Sequence, residues 1–258
     1  MNDSLPVQYA RWLKRLARFN LGESIRTGKP VADEIRARLP ATIVLAAASL
    51  LIQIVLSLVF GIISALNAKK AADSIVRFIC VFFASVPGFV IGLGLLSLCA
   101  VKLGIYKLGG GVSFRQIWPP AFTIALGLAP QTIRVTRASM LTEFGQTYVL
   151  AERARGLGRL LVVKNAMKNS ALPFVTALSF SFASLLGGSA VIESIFAWPG
   201  IGKYTLDSIL VHDYPVIQGY ALIMVILIIC LNLIVDFLYT VFDPRLRNNR
   251  RTAADEKV

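Results

Sequence analysis

Residues 41–66 read ATIVLAAASLLIQIVLSLVFGIISAL and contain no charged side chain. At a rise of about 1.5 Å per residue, a helix over this stretch would match the roughly 30 Å hydrocarbon core of a lipid bilayer. The stretch lacks the period-two alternation of a membrane β-strand and is too long for one. It therefore predicts a transmembrane helix.

Four further apolar stretches repeat this pattern. Of the 258 residues, 56% are hydrophobic and 16% are charged, whereas a water-soluble domain is about 25% charged. The predicted fold class is all-α and integral to a membrane, with about five transmembrane helices. The predicted spans are about 41–66, 78–101, 116–136, 169–192 and 214–240. Residues 41–243 would form the transmembrane domain, residues 1–40 an extracytoplasmic or interfacial segment, and residues 244–258 a tail.

The basic side chains are distributed unequally between alternate loops. The loops after spans one and three, together with the tail, hold 15 Lys and Arg residues, and the two other loops hold 4. Because cytoplasmic loops are enriched in Lys and Arg, this predicts that the first group and the C-terminus lie in the cytoplasm. Topology and anionic lipid then account for the net charge of +13. Since the sequence has no nucleic-acid recognition motif, nucleic-acid binding is not expected.

Two of the spans depart from a plain apolar helix. Pro87 and Gly88 interrupt span two, which indicates either a hinge beside a pathway or ordinary kinked packing. Span four is rich in small residues, which either allow close helix packing or line a polar conduit. An acid held deep in a span is a functional candidate, but Glu193 at the span edge is expected to reach water. The candidate pathway or gate residues are Ser184, Gly187, Gly188, Ser189 and Glu193.

The connection between spans three and four, residues 141–173, is the candidate docking element. Its first part from Tyr148 is rich in the helix formers Ala, Leu, Glu and Arg, and two glycines then interrupt it. A second helical stretch leads to Pro173, which suits the first turn of span four. A solvated basic loop would not need two helices, so the pattern favours a rigid projection that fits a partner's groove. The residues predicted to engage the partner are Glu152, Arg153, Ala154, Arg155, Gly156, Leu157 and Gly158.

The sequence offers no catalytic, cofactor-binding or metal-binding constellation. Gly202-Lys203 is followed by Tyr204, so it does not form a phosphate-binding loop, and no such loop occurs elsewhere. The chain has one histidine, His212, and no paired acids within its spans. A membrane-embedded enzyme would need converging groups of this kind. We therefore expect a non-catalytic chain that cannot hydrolyse ATP itself.

Several motifs resemble those of one family. The docking element carries alanine and basic residues before Gly156 and a Leu-Pro pair at its end. The segments 189–202 (SAVIESIFAWPGIG), 213–218 (DYPVIQ), 232–236 (NLIVD) and 243–247 (DPRLR) fit the same pattern. From about Val7 to Arg247 the chain resembles the peptide/nickel-type permease subunits of ABC importers, whose "EAA" coupling loop matches residues 141–173. The motifs of the second half are most similar to those of nickel-importer permeases, followed by those of metallophore and dipeptide permeases. Glu152 stands where that branch usually has a small residue.

The resemblance implies a type I ABC importer permease fold in a bacterial cytoplasmic membrane. The implied partners are a second permease subunit (as a heterodimer), two ABC ATPase subunits that carry ATP and Mg, an extracytoplasmic substrate-binding protein and the lipid bilayer. The expected substrate is nickel or another chelated metal. A di- or oligopeptide is the alternative, and a non-transporting membrane scaffold is a remote one.

The resemblance also bears on the N-terminal segment. Five spans with a cytoplasmic C-terminus place residues 1–40 outside, although they hold eight Lys and Arg residues. Family members begin with a further span, followed by an external segment with Gln-Tyr…Trp and Gly-x-Ser…Pro-Val patterns. Gln8, Tyr9 and Trp12 fit the first pattern, and residues 22–24 with 30–31 fit the second. We therefore expect residues 1–40 to be that external segment, translocated despite its charge, with the family's usual first span missing.

Overall fold

The computed structural model describes residues 4–16 and 20–242, and these form α-helices joined by short loops. The helices are α1 (Leu5–Leu16), α2 (Val31–Leu66), α3 (Ala71–Ser85), α4 (Gly88–Leu96), α5 (Phe114–Phe144), α6 (Thr147–Ala154), α7 (Arg159–Asn169), α8 (Ala171–Ile195), α9 (Ile201–Leu210) and α10 (Tyr214–Phe242). A π-helical segment, Ser97–Lys102, continues α4. Within the described part of the chain, β-structure is limited to an isolated bridge between Glu23 and Pro30. The predicted tail, residues 244–258, lies outside the described residues.

Five helical elements cover the predicted spans, namely α2, the α3–α4 pair, α5, α8 and α10. Among the described residues, α2 and α10 each contain a stretch long and apolar enough to cross a membrane, and the α3–α4 pair is a third candidate if taken as one span. With 31 and 25 residues, α5 and α8 exceed the roughly 20 residues that a hydrocarbon core requires. The all-helical membrane fold is confirmed, and the helix count agrees with about five spans.

The interruption predicted at Pro87 is a sharp bend. Helix α3 ends at Ser85, and Val86 adopts an extended conformation with φ −87° and ψ 125°. Sterically, a residue before proline is pushed out of the helical region, which explains the helix end. The helical segments on either side meet at an angle of 98°.

Helix α2 begins at Val31, ahead of the span start expected at residue 41. Two acids in its first turn, Asp33 and Glu34, favour this start because they face the positive end of the helix dipole. The helix continues through Pro40 to Leu66. The external segment predicted from the sequence therefore contains the first turns of α2.

The chain divides into two compact units. The first unit is drawn from the residues up to Ala48, from Gly92–Ala121 and from Leu186–Leu227. The second is drawn from Ser49–Ile91, from Phe122–Leu185 and from the residues after Leu227. Each long helix among α2, α5, α8 and α10 contributes a segment to both units.

Close helix contact and buried hydroxyls mark the second unit. A Cβ on Gly61 of α2 would overlap the side chain of Thr136 on α5, so these two backbones approach as small residues allow. Gln53 Nε2 lies 2.8 Å from the Ser181 hydroxyl, to which it donates. Ser57 and Thr132 share a hydrogen bond of 2.5 Å. These contacts join α2 to α5 and α8 through buried polar side chains.

Candidate functional site

The predicted docking element folds as two short helices, α6 and α7, with a tight turn between them. The N–H of Leu157 donates to the carbonyl of Glu152 at 3.1 Å, and the N–H of Gly156 donates to the carbonyl of Arg153 at 3.0 Å. This pair of bonds is a Schellman ending, which requires a left-handed residue immediately after the helix cap. Gly156 fills that position with a φ of +76°. Gly158 is different, because it begins α7 with an ordinary φ of −60°.

The turn exposes most of the predicted docking residues. Arg153, Ala154, Arg155, Gly156 and Gly158 are exposed, and Leu157 is partly buried. Their interior anchor is Val149, whose side chain is only 1% exposed. Two apolar neighbours also stay exposed, since Leu150 on α6 is 71% and Leu160 on α7 is 84% accessible. Exposed leucines beside exposed basic groups are typical of a protein-binding surface.

Glu152 does not share this exposure. Its Oε1 accepts a hydrogen bond of 2.7 Å from the Asn165 side chain on α7. The side chain therefore ties α6 to α7 within the projection.

A cleft of about 390 Å³ opens beside the projection, and we call it the basic cleft. Two arginines and six apolar residues line it. They are Ala65, Leu66, Phe144, Arg153, Leu157, Arg159, Val162 and Val163.

A buried ion pair lies in the same unit as the projection. Arg137 on α5 contacts both carboxylate oxygens of Asp73 on α3, at 2.7 Å and 2.8 Å. The Ser64 hydroxyl and the Lys69 N–H donate to the same carboxylate at 2.5 Å and 3.1 Å. A bidentate, charge-assisted pair of this kind is among the stronger hydrogen-bond arrangements. It fixes the end of α2, the start of α3 and the middle of α5 to one another.

A second polar centre lies in the first unit, where α8 turns into α9. The N–H of Trp198 donates to the carbonyl of Glu193 at 2.8 Å, and Ala197 is left-handed with a φ of +50°. This is again a Schellman ending, here with alanine at the strained position. The indole of Trp198 donates to the carbonyl of Ala41 at 2.9 Å, and the Tyr106 hydroxyl donates to the carbonyl of Phe196 at 2.6 Å. Burial raises the pKa of Tyr106 to about 12, so the phenol keeps its donor proton at neutral pH.

Glu193 lies at the centre of this corner, which contradicts the expectation that it reaches water. Its side chain is fully buried. The Thr42 hydroxyl donates to one carboxylate oxygen at 2.7 Å, and the N–H of Lys203 donates to the other at 2.9 Å. The N–H of Ile201 donates to Thr42 Oγ1 at 2.9 Å, which extends the network. The carboxylate thus caps the start of α9 and ties it to α2.

Gly200 makes this packing possible, because a Cβ there would overlap the Glu193 carboxylate. Gly200→Ala should therefore lower the free energy of unfolding by about 1–3 kcal/mol, the usual cost of overpacking a filled site. Chemical denaturation in detergent micelles measures this loss. Gly88→Ala is the matched control, because a Cβ at Gly88 would have open space around it. Equal stabilities of the two variants would contradict the described corner.

The loop before α10 is held by Asp213. Its carboxylate accepts hydrogen bonds from the Ser24 hydroxyl at 2.5 Å and from the N–H groups of Ile25 and Arg26 at 3.1 Å and 3.3 Å. Burial opposes the ionised form, but these donors outweigh it and hold the pKa of Asp213 below its usual value. The stability from this contact is complete above the ordinary pKa and is lost as the pH falls through the lowered one. His212, the single histidine, takes the left-handed position after α9 with a φ of +58°.

The candidate pathway residues on α8 fall in different environments. Ser184, in the second unit, is exposed. Ser189 and Glu193, in the first unit, are buried. Gly187 and Gly188 lie within α8, but their surroundings are outside what the structure describes. In the described part of the chain, there is no group of three or more His, Cys, Asp or Glu residues that could hold a metal ion.

The all-helical membrane domain with its helical projection has the fold of a solved ABC importer permease. The inward-facing MetNI methionine ABC transporter superposes with a TM-score of 0.68 at 17% identity, over 81% of this chain and 96% of that one. At this identity, the likeness shows the type I importer fold alone.

Sequence comparison then gives the family. Residues 57–248 match the model of the binding-protein-dependent transport system inner membrane component. The chain belongs to this family, and it is accordingly a multi-pass bacterial membrane protein. The proteins to which it is similar are permease subunits.

The relatives divide between two kinds of transport. The oligopeptide transport system permease protein AppB of Bacillus subtilis is 35% identical over 95% of this chain and 82% of AppB. The metal-staphylopine import system permease protein CntB of Staphylococcus aureus is 34% identical over 97% of this chain and 80% of CntB. The nickel import system permease protein NikB of the same species is 35% identical over 96% of this chain and 74% of NikB.

Proposed function

We propose that this permease subunit couples ATP hydrolysis on a separate ATPase to the import of nickel or another chelated metal. The observation that carries the coupling role is the α6–α7 projection, which a Schellman turn closes at its tip. Arg155 provides exposed positive charge there, and Leu150 and Leu160 provide exposed apolar surface. A small, internally braced element of this kind can transmit the motion of a bound partner as a rigid body.

The proposed assembly has the projection on the cytoplasmic side, together with the C-terminus. Two ATPase subunits bind ATP and Mg, and each docks on one of two permeases, of which this chain is one. The second permease is a different chain, and a binding protein delivers the substrate from outside. The unequal Lys and Arg distribution supports this orientation.

Within the membrane, we assign α8 to the translocation pathway. Ser184 supports this because it is a hydroxyl exposed on the surface of the chain. Glu193 is engaged by Thr42 and Lys203, so its role in the pathway is to hold α9 and α2 in place. Gly187, Gly188 and Ser189 would allow close approach of a neighbouring helix.

The choice of metal complex over peptide rests on the nickel and metal-staphylopine relatives, while AppB supports a peptide as the second candidate. The test is to purify the partner binding protein from cells and to identify its bound cargo by elemental analysis and mass spectrometry. We expect a bound transition metal, nickel first, held by an organic chelator. A bound peptide without metal would overturn this substrate and leave the importer class intact.

A further inference from the structure

The basic cleft is lined by parts of the chain that have different roles in the proposed mechanism. Ala65 and Leu66 belong to the last turn of α2, and Phe144 to the last turn of α5. The other lining residues belong to the α6–α7 projection and its turn. A ligand in the cleft would therefore touch both the ends of membrane helices and the element that docks the ATPase.

Both charged side chains that line the cleft are basic. Arg153 and Arg159 both line it, and none of its described lining residues is acidic. Within residues 4–16 and 20–242, no ion pair joins either arginine to an acidic side chain. The acids nearest in sequence, Glu143 and Glu152, accept hydrogen bonds from Tyr148 and Asn165 and are not among the residues that line the cleft. Two free guanidinium groups on one cleft match a phosphate, which arginine binds in a bidentate manner.

The rest of the cleft is apolar. Leu66, Phe144, Leu157 and Val163 are only partly buried, so they present hydrocarbon surface to an occupant. Phe144 and Val163 also pack on the buried cluster of Ala65, Met140 and Ala166, which gives the cleft a firm floor. Its volume of about 390 Å³ lies within the roughly 300–1,000 Å³ of small-molecule sites. The occupant should therefore carry both a phosphate and a hydrocarbon chain.

We propose that the basic cleft binds an anionic phospholipid, with its phosphate on Arg153 and Arg159 and the start of an acyl chain against Leu66 and Phe144. Basic pockets between membrane helices on the cytoplasmic side take anionic headgroups in this way. The proposal rests on the proposed function for its orientation, which places the cleft on the cytoplasmic side. Ala65 and Leu66, which end the apolar run of α2, give the cleft its position beside the bilayer. The bound lipid links α2 and α5 to the projection, so anionic lipid sets how firmly the projection is held.

An acidic side chain of the ATPase is the competing occupant. The position of the cleft favours lipid, because two of its walls are the last turns of the long helices α2 and α5. An ATPase carboxylate would also leave the partly exposed Leu66 and Phe144 without an apolar partner.

Native mass spectrometry of the complete importer, purified in detergent and titrated with phosphatidylglycerol, tests the proposal. The wild-type complex should hold one tightly bound phosphatidylglycerol for each copy of this chain. Arg153→Gln/Arg159→Gln should weaken that binding about thirtyfold, and Arg159→Gln alone about fivefold. Each arginine contributes about 1 kcal/mol of attraction to an anionic headgroup, which is about a factor of five in affinity. Lys164→Gln/Lys168→Gln removes the same charge from exposed sites on α7 outside the cleft, so it should bind as wild type.

Three outcomes would overturn the lipid site. The first is equal binding by the Arg153→Gln/Arg159→Gln and the Lys164→Gln/Lys168→Gln complexes. The second is displacement of phosphatidylglycerol by excess inorganic phosphate, which would assign the cleft to free phosphate. The third is tight binding only when the ATPase is stripped away, which would assign the cleft to the ATPase. Because lipid is counted without ATP turnover, failure here is distinct from failure of the coupling role. Arg159→Gln keeps the test valid if the double variant does not assemble.

Discussion

Replacing Asp73 by alanine should lower the free energy of unfolding by about 3–5 kcal/mol, the usual cost of breaking a buried ion pair on one side. The carboxylate is fully buried, and the substitution leaves Arg137 without its bidentate partner. It also leaves the Ser64 hydroxyl and the Lys69 N–H without an acceptor. Chemical denaturation of the purified chain in mixed micelles measures the loss.

Two further variants make this prediction specific. Arg134→Gln removes a basic group one turn earlier on α5, where the exposed Arg134 donates to the exposed Gln131, so it should cost less than about 0.5 kcal/mol. Asp73→Ala combined with Arg137→Met should recover part of the loss, because no buried charge is then left unpaired. If Asp73→Ala were as stable as Arg134→Gln, the pair would not hold α3 to α5.

Replacing Gly156 by alanine should uncouple ATP hydrolysis from substrate. An L-residue in the left-handed region costs about 1–2 kcal/mol, a five- to thirtyfold loss of the native turn relative to competing ones. A Cβ at Gly156 meets nothing within 4 Å, so conformation alone causes the penalty. Hydrolysis stimulated by loaded binding protein should fall by a similar factor, measured in proteoliposomes with the complete importer.

Gly158→Ala is the matched control for this prediction. Gly158 also has open space around it, but its φ of −60° suits any L-residue. The Gly158 variant should keep stimulated hydrolysis near wild type, and both variants should assemble with the ATPase. Equal coupling in the two variants would mean that the left-handed turn plays no part in transmission.

The sequence was sufficient for the features that depend on local pattern. Uncharged runs locate the apolar part of each long helix, because a membrane helix needs a continuous apolar stretch whatever its neighbours are. They do not locate every helix end, since α2 begins at Val31 and α5 continues to Phe144. Pro87 indicates the bend after Ser85, since a residue before proline leaves the helix. Gly156 indicates the turn between α6 and α7 for an equally local reason.

Features that depend on contacts between distant parts of the chain could not be read in this way. Glu193 was expected to reach water because it follows an apolar run, but Thr42 and the N–H of Lys203 enclose it. The Asp73–Arg137 pair was missed because its members are far apart in sequence. Each lies near the end of an apolar run, where a charged residue is expected whether or not it has a partner. Glu152 was expected on the docking surface, and only the fold of α7 shows Asn165 beside it.

The helices α6, α8 and α9 end in the same backbone conformation, although the residues differ. Each places a left-handed residue directly after the helix cap, namely Gly156, Ala197 and His212. Glycine has no strain there, whereas alanine and histidine retain some. The two strained corners lie in the first unit and are held by the Glu193 network and by Asp213. The unstrained corner lies at the tip of the projection.

Site-specific cross-linking from the tip of the projection tests the coupling role most directly. Arg155→Cys, in a chain whose three native cysteines are replaced, would carry a short photo-reactive cross-linker in membranes that contain the complete importer. We predict a covalent adduct with the ATPase subunit whose yield changes when ATP is added. Ser113→Cys, on the exposed loop before α5, should give no such adduct. An ATPase adduct from Ser113→Cys and none from Arg155→Cys would contradict both the docking role of α6–α7 and the proposed orientation.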